Sequence, residues 1–170
     1  MDTFWKWFAK GSGSAPPGYR NVFNGYILVH GIVAILATFL INSDPFMFAG
    51  KALFPAASIL IGLSMAWTTR ASTILQSKEL REALFVSDRP AEDYVYGFQL
   101  AILIVMLMVI LVAVMAGGGL KISLFSPDID RALSGFWMYL TLSLALRECW
   151  GVINFTNMLS MLEYRRPTKP

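Results

Sequence analysis

Residues 98–116, FQLAILIVMLMVILVAVMA, constrain this chain more than any other stretch, because beyond Gln99 they hold no charged or polar side chain. A helix on the surface of a soluble domain keeps a polar stripe, so one that is apolar all round is enclosed by protein or by lipid. At 1.5 Å per residue it would reach about 28 Å, close to the ~30 Å hydrocarbon core of a bilayer. The rest of the chain cannot wrap it. Of 170 residues, 56% are hydrophobic and 15% charged, and the mean hydropathy is +0.56, too apolar for a soluble domain of this size. The expected fold class is an all-α integral membrane protein, with room for one domain and no separate soluble one.

Three further spans are expected. Residues 22–41 form the first, and the breaker-rich NSDPFMFAGK reads as a short turn after it. Residues 52–68 form the second, with Pro55 tolerated in its first turn. Residues 98–116 form the third and end at Gly117-Gly118-Gly119. The fourth, about 136–157, lies in a helix from about Ser134 to Glu163 that Asp130 or Ser134 could cap. Apolar residues alternating with charges after Trp67 predict a cytoplasmic helical extension over about 69–97, and a second one over about 158–166.

The N-terminal segment, residues 1–21, reads as an interfacial amphipathic helix and a hinge. Phe4, Trp5, Trp7 and Phe8 stand beside Lys6 and Lys10, and GSGSAPPG follows. It lacks the apolar core of a signal peptide and is expected to remain on the protein. Anchoring at the interface is one role for it, and closing a central opening in an oligomer is another.

Basic residues set the expected orientation. Lys6, Lys10, Arg20, Arg70, Lys78, Arg81, Arg89, Arg165, Arg166 and Lys169 fall on one side, against Lys51, Lys121 and Arg131 on the other. Under the positive-inside rule both termini face the cytoplasm of a cell inner membrane.

The fourth span carries what hydrocarbon should reject. Ser143, Arg147, Asn154 and Asn157 fall near one helical face, and Thr141, Glu148, Thr156, Ser160 and Glu163 near another about 100° away. Arg147 and Glu148 are adjacent and diverge, so each is expected to need a partner from another helix or subunit. An unpaired charge at the bilayer centre costs at least about 2.5 kcal/mol. His30, the only histidine, lies at a depth that would let it meet Glu148. These groups either form a fixed buried cluster, or line an aqueous path with Asn154, Asn157 and Ser160. If the helix sits higher, Arg147 snorkels to the interface instead.

Arg70, Lys78, Arg81, Arg89, Arg165 and Arg166 could serve topology and anionic lipid alone, or converge as a receptor for an anionic ligand. A lone histidine and the single Cys149 cannot make a metal cage, and no nucleotide-binding or catalytic motif is present. No cofactor, no metal and no enzymatic activity are expected. A four-helix unit has a small interior, so transport would need several copies, as in a tetramer.

Size, span number and cytosolic helical extensions give the chain an architecture that resembles the compact four-span membrane effectors of bacterial anti-phage defence, of which the channel-like partner in Hailong is one. The resemblance implies membrane permeabilisation controlled by a cytosolic nucleotide or oligonucleotide and a partner protein, and it carries no residue assignments. The expected function is an oligomeric ion channel. The alternative is a non-conducting accessory subunit of a larger inner-membrane complex.

Overall fold

The computed structural model describes residues 3–11, 16–41, 43–76, 91–119 and 125–164. Among these the chain is entirely helical: α1 (Phe4–Lys10), α2 (Tyr19–Val22), α3 (Tyr26–Leu40), α4 (Pro45–Phe48), a π-helical segment (Ala49–Leu53), α5 (Phe54–Gln76), α6 (Ala91–Ala116) and α7 (Pro127–Tyr164). Two helical stretches, Pro45–Ala66 and Asp93–Ala116, are long and apolar enough to cross a membrane; α3 is apolar but shorter. The chain divides into two compact units, one of residues 1–24, 64–102 and 149–170, the other of residues 25–63 and 103–148.

In the first unit, Thr3 caps α1 by accepting from the Lys6 amide, and Gly11 ends the helix at φ 84°, a conformation that favours glycine. The four aromatics of α1 do not share one surface. Trp7 is fully buried while Trp5 is 67% exposed. The Trp7 indole N–H donates to Asp93 Oδ1 at 2.7 Å, its ring lies 5.6 Å from that of Tyr96, and the Gly18 amide donates to its carbonyl at 3.2 Å. A helix expected to lie wholly in the interface is therefore pinned by one indole to the start of α6. A tryptophan buries a large apolar area only when its N–H finds an acceptor, and Asp93 supplies one. Phe98, Ala101 and Val152 form the apolar centre of this unit, with Phe155 packed on it and the Phe98 and Phe155 rings 5.1 Å apart.

In the second unit the helix boundaries depart from the sequence expectation. The first span was expected from residue 22, but α2 ends there and α3 begins only at Tyr26. Asn24 donates its side-chain amide to Asn21 O at 3.2 Å, giving the backbone a local alternative to helix before Gly25. The expected turn NSDPFMFAGK is mostly helical. Asp44 accepts from the Phe46 and Met47 amides, and Pro45 takes the first helical position, where its missing N–H costs nothing.

Pro55 consequently falls inside a continuous helical run instead of at its start. The π-helical segment lies just before it, with the Phe54 N–H reaching Ala49 O five residues back. A proline ring clashes with the carbonyl four residues earlier, and the wider π turn relieves that clash.

α6 ends where expected. Gly118 and Gly119 take φ 97° and 79°, and their amides return to Met115 O and Val114 O. α7 begins earlier than expected, at Pro127. Asp130 lies within its first turn and accepts from the Phe125 amide at 3.1 Å, so neither Asp130 nor Ser134 is the residue at which the helix starts. Arg131 pairs with Asp44 at 3.2 Å.

The core here is built from Ala34, Ala49, Ala57, Met108, Val112, Met138 and Ala145, all nearly inaccessible. Small side chains let helices approach closely, as where a Cβ on Gly135 would meet Pro45 Cγ at 3.1 Å. α3 turns Leu28, Val29, Ile32, Leu36, Phe39 and Leu40 outward.

Candidate functional site

Of the polar residues singled out from the sequence, His30, Ser143, Arg147 and Glu148 lie in the second unit. His30 Nδ1 lies 2.7 Å from Ser143 Oγ, joining α3 to α7 across 113 positions of sequence. Ser143, and not Glu148, is thus the hydrogen-bond partner of the histidine.

Arg147 and Glu148 bond to each other. Arg147 Nε donates to Glu148 Oε1 at 2.9 Å, and the Nη2 group closes on the same oxygen. The expectation that neighbours 100° apart cannot neutralise each other is corrected by the reach of the arginine side chain. At 4 Å and an effective dielectric of 20, a charge pair is worth about 4 kcal/mol, against about 1 kcal/mol for a strained rotamer. Both side chains are largely covered, at 24% and 19% exposure.

Asn154, Asn157 and Ser160 lie in the first unit, on the last turns of α7. Three hydroxyls of this helix turn back on its own backbone. Thr141 bonds Trp137 O and Met138 O, Thr156 bonds Val152 O, and Ser160 bonds Thr156 O. Such back-bonding lets hydroxyls sit on an apolar helix without outside partners. The two asparagines are exposed. An open depression of about 440 Å³ is lined by Asn157, Ser160, Met161 and Tyr164.

Of the six candidate anion ligands, Arg70 lies on α5 with its side chain outside the described residues, and Lys78, Arg81, Arg89, Arg165 and Arg166 lie wholly outside them. Among the described residues, no three His, Cys, Asp or Glu side chains cluster in a way that could hold a metal. Cys149 is buried.

Two features escaped the sequence reading. The Trp7–Asp93 bond joins residues 86 positions apart, and only the presence of an acid near the start of α6 hinted at it. Tyr139 is 4% exposed and its hydroxyl has no hydrogen-bond partner among the described residues; its ring lies 6.1 Å from that of Phe48. No protein-family profile matches the chain, and neither a characterised protein nor a solved structure shows significant similarity to it.

Proposed function

We propose that this protein spans the cell inner membrane four times, with both termini cytoplasmic, and that its copies associate along α7 to form a gated pore for small ions. The observation that carries the reading is the pair of exposed amides, Asn154 and Asn157, on the last turns of a long helix where the Thr156 and Ser160 hydroxyls already bond the helix's own carbonyls. Rings of such amides around an axis hydrate a permeating ion where leucine or methionine would dewet the path. The outward apolar side chains of α3 and the slight burial of Pro45–Ala66, 11% against 44% for Asp93–Ala116, support lipid contact for the first two spans. At fifteen residues α3 is about 22 Å long, so the bilayer thins beside it or Tyr26 and Phe23 extend it at the interface. Control by a cytosolic nucleotide or oligonucleotide and a partner protein, in the manner of anti-phage effectors, completes this reading.

Purified protein in planar bilayers is expected to conduct, either directly or once an inhibitory cytosolic ligand has left, and Asn157→Leu is expected to lower the conductance. Stable oligomers that stay silent with and without cytosolic extract would overturn the proposal. One observation favours a second reading, a non-conducting accessory subunit: the Arg147–Glu148 pair closes within a single helix. Mass measurement in detergent separates the two, because the accessory subunit is a monomer when isolated.

A further inference from the structure

The last turns of α7 carry an exposed row along one helical face. Trp150, Asn154, Asn157, Met161 and Tyr164 recur at spacings of four, three, four and three, and all five are exposed. That spacing places them on one face, with the geometry that the a and d positions of a helix–helix seam require. The opposite side of the same turns is already used, with Val152 and Thr156 buried and Phe155 packed on Phe98. At 100° per residue the row centres about half a turn from Val152, so it is not an overflow of that packed face.

The chemistry of the row suits neither of the solvents available to it. In water, Trp150, Met161 and Tyr164 would leave an apolar stripe uncovered. In hydrocarbon, Asn154 and Asn157 would leave amide donors and acceptors unsatisfied. A surface that is apolar and carries amides at consecutive core positions suits a copy of itself. An amide offers one acceptor and two donors, so it complements the identical amide across a symmetry axis. Copies of a membrane protein insert with one orientation, so their α7 helices run parallel in a closed ring and each residue meets its own equivalent. Asn154 then meets Asn154, and Asn157 meets Asn157.

We infer that Trp150, Asn154, Asn157, Met161 and Tyr164 form a parallel self-association seam whose occupant is α7 of a second copy of this chain, with the two asparagines fixing its register. The inference deepens the proposed pore, on which it rests: seam residues in a ring of helices face the axis, which assigns the two amide layers to the lining. Buried asparagines in such seams set register and copy number at a cost in stability.

Single cysteines at 154, 157 and 161, placed in a Cys149→Ala background of the full chain in membrane vesicles, test it with a short bismaleimide. Asn154→Cys, Asn157→Cys and Met161→Cys are expected to crosslink several-fold more than Gly151→Cys and Met158→Cys, which are exposed but off the row. Because each cysteine variant alters the seam, native mass measurement of Asn157→Leu gives an independent reading, with several copy numbers expected in place of one. Equal crosslinking at all five positions, or a preference for 151 and 158, overturns the seam, and so does an unchanged single copy number in Asn157→Leu. Seam crosslinking in a protein that never conducts removes the pore and keeps the interface, whereas conduction without seam crosslinking does the reverse.

Discussion

Gly18→Ala should loosen α1 from α6 even though alanine suits the backbone at that position. Gly18 has φ −59° and ψ −29°, ordinary right-handed values, so alanine there would gain about 0.4 to 1 kcal/mol by restricting the unfolded chain. A Cβ on Gly18, however, would lie 2.6 Å from Cε3 and Cη2 of Trp7 and nearer still to Cζ3, where carbon atoms prefer about 3.5 to 4.0 Å. The ring has no room to retreat, since it is fully buried and its N–H is held by Asp93. Overpacking of this kind costs about 1 to 3 kcal/mol. Sterics therefore outweigh entropy by about 1 to 2 kcal/mol, a factor of about 5 to 30 in the docking equilibrium. Hydrogen exchange of residues 4–11 in detergent, followed by mass spectrometry, reads that equilibrium directly as faster exchange. Gly25→Ala is the matched control, with φ −55° and nothing within 4 Å of its Cβ, and should leave exchange unchanged. In a Trp7→Ala background the obstacle is gone and Gly18→Ala should cost nothing. Wild-type protection in Gly18→Ala, or a cost that survives removal of the indole, would refute the reasoning.

Arg147→Leu should cost about 1.5 to 3 kcal/mol by stranding Glu148, and Arg147→Leu with Glu148→Leu should cost less than either change alone, as measured by unfolding in detergent. Gly119→Ala should destabilise by about 1 to 3 kcal/mol, because φ is 79° and the new Cβ would press on Phe46 Cε1, whereas Gly117→Ala meets only ordinary contacts at 3.5 Å; thermal melting distinguishes them. With the other tryptophans replaced by phenylalanine, brominated lipids should quench Trp5, which is exposed, and spare Trp7, which is not.

The long helices were legible in the sequence, but their boundaries, phase and partners were not. The three glycines after Ala116 announced the end of α6 because two of them sit at positive φ. The Asp44-Pro45 pair carried an equally good start signal, an N-cap followed by proline, yet it read as a turn because asparagine, serine and proline crowd the same stretch. In α6 the uniform apolar composition hid which side faces inward. Val105, Met108, Val112 and Met115 are buried while Leu107 and Ile110 are not, though nothing in their chemistry separates them. The polar residues of α7 were found by being out of place in an apolar helix. Their partners were not, since His30 meets Ser143 across 113 positions, and the Arg147–Glu148 bond depends on side-chain length instead of helical angle.

The π-helical segment has a consequence for how the chain tolerates changes in length. It holds one residue more than an α-helix needs to cover the same rise, and the wider turn takes up that surplus, so α4 and α5 keep the rotational relation of a continuous helix. Phe46 reaches Gly119 and Phe48 reaches Tyr139, and Ala57, beyond the segment, is buried as well. Deleting one residue between 49 and 53 would restore the α period and leave the faces of α4 and α5 where they are, whereas deleting one residue within α5 would turn its two ends against each other by about 100°. Ala49–Leu53 is the place where this helical run can lose a residue without re-aiming either helix face.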